Sequence, residues 1–233
     1  MPYRRSRARK QFEVEIRTIL RTVGEAYSKK CLSQAVREYA LCSAVLLTSA
    51  KLESYIEDLI GDWGASIRSQ GVTTEMLHRR TRAYLLNQPA IVTAYKRYIA
   101  DEDEGAFLSR IENTIAQAHY DFALDGRGLP TFGAGVLYAG RKYPSPKNFR
   151  RLFDRFGIAN VFGELNRIAR RDTEALLTSF NDLRTELAHV GMPVGRSLGD
   201  IKQHIRDINL IVGYVDRMFY STVCTSVGSN CWV

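Results

Sequence analysis

Apolar residues recur at spacings of three and four along most of this 233-residue chain, which is the period of an amphipathic α-helix. The longest periodic stretch covers residues 32–69, and shorter ones cover residues 12–27, 75–86, 147–156, 160–168 and 173–188. The seam of the longest stretch is formed by Val45, Ser49, Leu52, Ile56, Leu59, Trp63 and Ile67. The pattern therefore predicts an all-α protein.

A final periodic stretch follows Ser197, which forms a capping-box pattern with Asp200 three residues later. Its apolar positions are Ile201, Ile205, Ile208, Val212, Val215 and Phe219. A seam of this kind packs either inside a helical bundle or across a dimer. The sequence leaves both arrangements open.

Residues 125–146 break the helical period because they are rich in glycine and proline. We predict an irregular loop insertion here, with room for a short hairpin around residues 132–138. The glycines lack the spacing of a phosphate-binding loop, so no nucleotide cradle is predicted. We predict that residues 1–233 form one helical domain that includes this insertion, with its core at about residues 32–221. Residues 1–10 form a basic tail whose order the sequence does not decide.

Composition narrows the protein class. The chain is 45% hydrophobic and 25% charged, as in ordinary globular proteins. The sequence has no apolar run of about 18 residues, so no membrane span is predicted. No apolar stretch follows the basic tail, so no secretory signal is predicted. Cysteines 31, 42, 224 and 231 lack the paired spacing of a zinc site. We therefore expect free thiols, a reducing cytoplasmic location, and no metal or cofactor.

The positive charge is concentrated in one part of the chain. Residues 141–171 contain nine basic and two acidic residues, a net charge of +7 out of the chain's total of +8. A basic surface of this kind favours a polyanionic partner such as nucleic acid. Lys147, Arg150, Arg151 and Arg155 are the candidate phosphate contacts.

Arg184 and His189 stand five residues apart at the end of the helix predicted over residues 173–188. The predicted buried stripe of that helix is formed by Leu176, Phe180, Leu183 and Leu187. Arg184 stands at the edge of the stripe, seven residues after Leu177, where partial shielding from water strengthens its charge. Five residues turn a helix by about 140°, so the two side chains diverge. They can meet only if the last turn unwinds or if a second chain contributes its copy.

The segment from Arg184 to Gly191 resembles the R-x4-6-H signature of the HEPN superfamily. Two further blocks are similar in the same order: residues 51–56 in the long helix, and residues 146–153 leading to residues 156–158. Together they resemble the RiboL-PSP-HEPN branch and the related MAE_28990-type branch, over about residues 32–191. The residue after the arginine is commonly Asn, Asp or His in that superfamily, and Thr185 departs from this pattern.

The resemblance implies a HEPN-like helical bundle with metal-independent endoribonuclease activity on RNA. Members typically form homodimers that place two such motifs in one cleft, and many act as toxins or in antiviral defence under an antitoxin or sensor protein. Arg184 and His189 would be catalytic, with Thr185 and Glu53 supporting them. The residue types suit this chemistry, because imidazole exchanges protons near neutral pH and guanidinium binds phosphate oxygens in pairs.

The residues also allow a purely structural role for the pair and two further functions for the chain. Asp182, Glu186 and His189 share one helical row, so His189 could simply pair with Glu186. The alternative function is a non-catalytic HEPN module that binds nucleic acid or a partner protein, and a third is a nucleotidyltransferase-partner antitoxin or substrate. Catalysis requires His189, whereas binding through residues 147–155 would survive its loss. No nucleophile elbow, cofactor loop or metal-ligand cluster points to another enzyme.

Overall fold

The computed structural model describes residues 2–28, 33–86, 89–110, 137, 144–190 and 197–232, and these residues are helical with no β-strand. The all-α prediction is thus confirmed. The helices are α1 (Arg7–Ala26), α2 (Gln34–Ser69), α3 (Arg79–Leu86), α4 (Pro89–Asp101), α5 (Pro146–Asp154), α6 (Val161–Ala169), α7 (Thr173–Val190) and α8 (Leu198–Ser226). Residues 104–110 are helical as well, and Thr74–Met76 and Ser229–Cys231 are 3₁₀ turns.

Most of the predicted loop insertion over residues 125–146 lies outside the described residues. Leu137, which is described, is helical and fully buried. The hairpin expected around residues 132–138 is therefore not formed at this position. Leu137 packs into the core, and the glycine-rich sequence around it did not predict this burial.

The long helices α1, α2 and α8 pack on one another and form the centre of the core. Every member of the predicted α2 seam is buried, including the polar Ser49. The core extends beyond the predicted residues 32–221 at both ends, since Phe12, Ile16 and Val23 of α1 and Cys231 after α8 belong to it. Helix α1 begins at Arg7, five residues before the predicted start, because the side chain of Ser6 caps it.

Helix α8 uses its apolar seam inside the chain. All six predicted seam residues are at most 1% exposed in the single chain, where α8 contacts α1, α2, α6 and α7. Of the two arrangements left open by the sequence, the bundle is therefore the observed one. A seam that is already covered cannot also form a dimer interface. The capping box of Ser197 and Asp200 is present as predicted.

The helix expected over residues 75–86 is interrupted. Leu77 is extended and buried between the 3₁₀ turn Thr74–Met76 and α3. The Nδ1 atom of His78 then accepts a hydrogen bond from the backbone amide of Arg80 at 3.2 Å, which satisfies a free amide in the first turn of α3. Burial of Leu77 and this local hydrogen bond stabilise a break that the apolar period does not reveal.

The basic tail is fixed against α8. The Tyr3 hydroxyl donates to Oδ2 of Asp216 at 2.5 Å, and the Ser6 hydroxyl donates to Oδ1 of the same carboxylate. The Ser6 amide adds a third hydrogen bond at 3.2 Å. Asp216 is fully buried, so these donors compensate the loss of its hydration. Residues 2–6 are thereby joined to a helix more than 200 residues away in the chain.

Candidate functional site

Helix α7 carries both residues of the candidate catalytic pair. Its buried face is formed by Leu177, Phe180, Leu183 and Leu187, which pack against α2, α5, α6 and α8. The predicted stripe is correct except at its start, where Leu177 is fully buried and Leu176 is only partly so. The carboxylate of Asp172 accepts from the Ala175 amide at 3.0 Å and caps the helix.

Arg184 is half-buried at the edge of this face, and its Nε atom is shielded from solvent. His189 is exposed five residues later. Because α7 continues as a regular helix through Val190, the last turn does not unwind. The two side chains therefore keep the divergence of about 140° that an ideal helix gives them. A single chain does not bring guanidinium and imidazole together, and a site using both requires a second copy.

The supporting residues lie on α7 and α2, which pack against each other. The Thr185 hydroxyl donates to the carbonyl oxygen of Asn181 at 2.9 Å on its own helix. Glu53 is half-buried on α2. The sequence left open a pairing of Glu186 with His189. Both residues are described and exposed, and no ion pair joins them.

The four candidate phosphate contacts fall into two classes. Lys147 and Arg151 are exposed on α5. Arg150, although exposed, forms an ion pair with Glu174 and lies over the ring of Phe162, 5.2 Å from its centroid.

Arg155 is half-buried and stacks on the ring of Tyr84 at 4.0 Å, with a hydrogen bond to the carbonyl of Leu137. Its guanidinium thus joins the end of α5 to α3, whereas Lys147 and Arg151 keep their charges toward solvent.

Asn181 is a site residue that the sequence analysis missed. It is buried on α7 one turn before Arg184, and its amide donates to the carbonyl oxygen of Pro144 at 3.3 Å. This bond fixes the chain entering α5 to the helix that carries Arg184. A polar residue inside the predicted apolar face was the available signal, since a buried amide needs hydrogen-bond partners.

Two features are absent from the part of the chain that the structure describes: a cluster of metal-ligating side chains and a helix that could cross a membrane. The described residues contain no group of three or more His, Cys, Asp or Glu side chains placed to hold a metal ion. None of the described helices is long and apolar enough to cross a membrane. Cys42, Cys224 and Cys231 are free thiols.

Comparison with known proteins gave no match to any family model, to any curated protein or to any solved structure.

Proposed function

We propose that this protein is a metal-independent endoribonuclease of the HEPN superfamily, in which two copies of the chain bring Arg184 and His189 together. The observation that carries the proposal is the placement of this pair. A half-buried guanidinium and an exposed imidazole lie on consecutive turns at the end of one firmly packed helix. Partial burial strengthens the charge of Arg184, and exposure leaves His189 accessible to a polynucleotide.

The reaction assigned to the pair is attack of a ribose 2′-oxygen on the adjacent phosphorus. One His189 takes the proton of the 2′-hydroxyl as the new P–O bond forms. Its copy in the second chain gives a proton to the 5′-oxygen as the original P–O bond breaks. Arg184 binds the phosphate oxygens through two N–H donors and stabilises the added negative charge. The products are a 2′,3′-cyclic phosphate and a 5′-hydroxyl end.

The biological setting follows from the resemblance to HEPN proteins. We propose a cytoplasmic toxin or antiviral defence effector that an antitoxin or sensor protein restrains. The RNA would extend from the catalytic pair along the exposed Lys147 and Arg151. Arg150 and Arg155 would contribute less than the sequence predicted, because each already has a partner inside the chain.

A second candidate is a non-catalytic HEPN module that binds nucleic acid. The exposed charges of Lys147 and Arg151 favour it, since they do not depend on the candidate pair. The divergence of Arg184 and His189 within one chain favours it as well, and Thr185 departs from the residue type usual in active relatives.

The test is cleavage of single-stranded RNA in EDTA by the wild type, His189→Ala and Arg184→Ala. Loss of a general acid–base or of the charge clamp should lower the rate about 10²- to 10⁴-fold. Glu186→Ala is the matched control, because it removes an exposed charge from the same helical turns and should leave the rate unchanged. Light scattering should show a dimer. An active monomer, or a rate that survives His189→Ala, would contradict the proposal; RNA binding with no cleavage would favour the binding module.

A further inference from the structure

A second basic site lies far from α7 in the chain, where residues 2–6 fold against the end of α8. It is a pocket of about 210 Å³. Its lining contains three basic residues and no acidic one: Arg4, Arg5 and Lys10. Two aromatic residues, Tyr220 and Trp232, also line it. The functional proposal above uses none of these residues.

The pocket is held in shape by specific contacts. The indole Nε1 of Trp232 donates to the carbonyl oxygen of Arg4 at 2.7 Å, and the Tyr220 hydroxyl donates to that of Pro2 at 3.3 Å. The rings of Tyr220 and Trp232 meet edge to face, 5.3 Å between centroids, and Tyr3 meets Tyr220 in the same way at 5.4 Å. A site fixed before binding loses less entropy when a ligand arrives.

The cations of the pocket are largely unneutralised. Arg5 forms an ion pair with Glu13 at 2.9 Å. Arg4 and Lys10 are exposed, and neither forms an ion pair with a residue that the structure describes. Arg217, exposed one turn before Tyr220 on α8, adds a further positive charge beside Tyr3. This potential favours an anion, and several fixed cations around aromatic rings favour a phosphate attached to a planar group.

We infer that this pocket binds a nucleotide of single-stranded RNA, with its phosphate on Arg4 and Lys10 and its base against Trp232. Such binding goes beyond the proposed cleavage and does not depend on it. Single-stranded nucleic acid suits the pocket because its bases are free to stack on aromatic side chains while its backbone follows the positive charge. A paired strand keeps its bases in the duplex, and the side chains of an acidic peptide offer no aromatic base to stack on the ring.

The experiment uses tryptophan fluorescence of the full chain titrated with a 2′-O-methyl oligoribonucleotide of about eight nucleotides, a length in the range that one single-strand binding domain covers. The 2′-O-methyl groups prevent attack by the 2′-oxygen, so the result is independent of whether the protein cleaves RNA. Of the two tryptophans, Trp63 is 4% exposed in the core, and Trp232 lines the pocket. We expect quenching that comes from Trp232.

Arg4→Ala with Lys10→Ala should weaken binding and reduce the slope of log affinity against log salt by about 0.7, the contribution of one phosphate on a single strand, because both cations hold the same phosphate. Arg17→Ala with Arg68→Ala is the control of equal charge change, on exposed positions outside the pocket, and should retain both affinity and slope. Lys147→Ala with Arg151→Ala should leave the quenching of Trp232 unchanged as well.

Unchanged affinity and slope in the Arg4 and Lys10 double variant would overturn the inference. So would equal quenching by an RNA duplex of the same length, by inorganic phosphate or by hexaglutamate, because the pocket would then select negative charge alone. Cleavage lost in His189→Ala with oligonucleotide quenching intact would separate this pocket from the proposed catalytic pair.

Discussion

Replacing Asp216 with alanine removes the acceptor that holds residues 2–6 on α8. The carboxylate is fully buried and accepts from the hydroxyls of Tyr3 and Ser6, from the Ser6 amide at 3.2 Å, and from the Tyr55 hydroxyl at 3.4 Å. The change leaves these donors without their acceptor inside the protein. It also removes the hydrogen bonds that join Tyr3 and Ser6, the N-cap residue of α1, to α8.

The expected cost follows from the number of short bonds. Hydrogen bonds to a charged group contribute about 1.5–3 kcal/mol each, and the two hydroxyl donors from Tyr3 and Ser6 are the short ones. The two short bonds together give about 3–6 kcal/mol. We expect Asp216→Ala to lower the free energy of unfolding by about 4 kcal/mol.

Asp207 provides the matched control. It lies on the same helix and is also buried, at 8% exposure, but its carboxylate accepts a single side-chain hydrogen bond, from the Gln203 amide at 2.9 Å. Asp207→Ala should therefore cost about 2 kcal/mol, the contribution of one hydrogen bond to a charged group. Urea unfolding followed by far-ultraviolet circular dichroism gives both values at one pH and ionic strength. If the two variants differ by less than about 1 kcal/mol, the hydrogen bonds to Asp216 do not anchor residues 2–6.

Two further predictions concern a glycine and a tyrosine. Gly157 has φ of +85°, and a Cβ atom there would lie 2.4 Å from the His78 ring, so Gly157→Ala should lower stability by about 2 kcal/mol or more in urea unfolding. Gly71→Ala is its control, with φ of +65° and open space around a Cβ, and should cost about 1 kcal/mol; equal losses would exclude the clash with His78. Burial, together with the hydrogen bond to Asp216, raises the pKa of Tyr3 well above its ordinary value near 10. A raised folded-state pKa means stability that is complete below about pH 10 and lost as pH rises toward the folded-state value. The melting temperature should fall above pH 10, and it should fall less in Tyr3→Phe; an identical fall would contradict this assignment.

The helices could be predicted from the sequence because their causes are local. An apolar residue at every third or fourth position defines a buried face, and a cap acts within three residues of the helix start. The seam of α2, the cap at Ser197 and the seam of α8 were all evident on this basis. The candidate pair on α7 was equally local, since its spacing and the edge position of Arg184 depend on one helix.

Partners from distant parts of the chain could not be predicted. Arg150 and Arg155 were both predicted to contact phosphate, and nothing near them in the sequence identifies Glu174 or Tyr84 as neighbours. The break before α3 was missed for the same reason, because burial of Leu77 depends on how other helices pack.

The sequence by itself determined the all-α class, the main helices and the chemistry available on α7. The tertiary structure alone decided that α8 packs inside the chain, that Asp216 anchors Tyr3 and Ser6, and that residues 2–6 form a pocket with Trp232. The physical reason is the range of the interactions. Helical periodicity and capping act over a few residues, whereas a buried carboxylate is satisfied by whichever donors the packing brings to it.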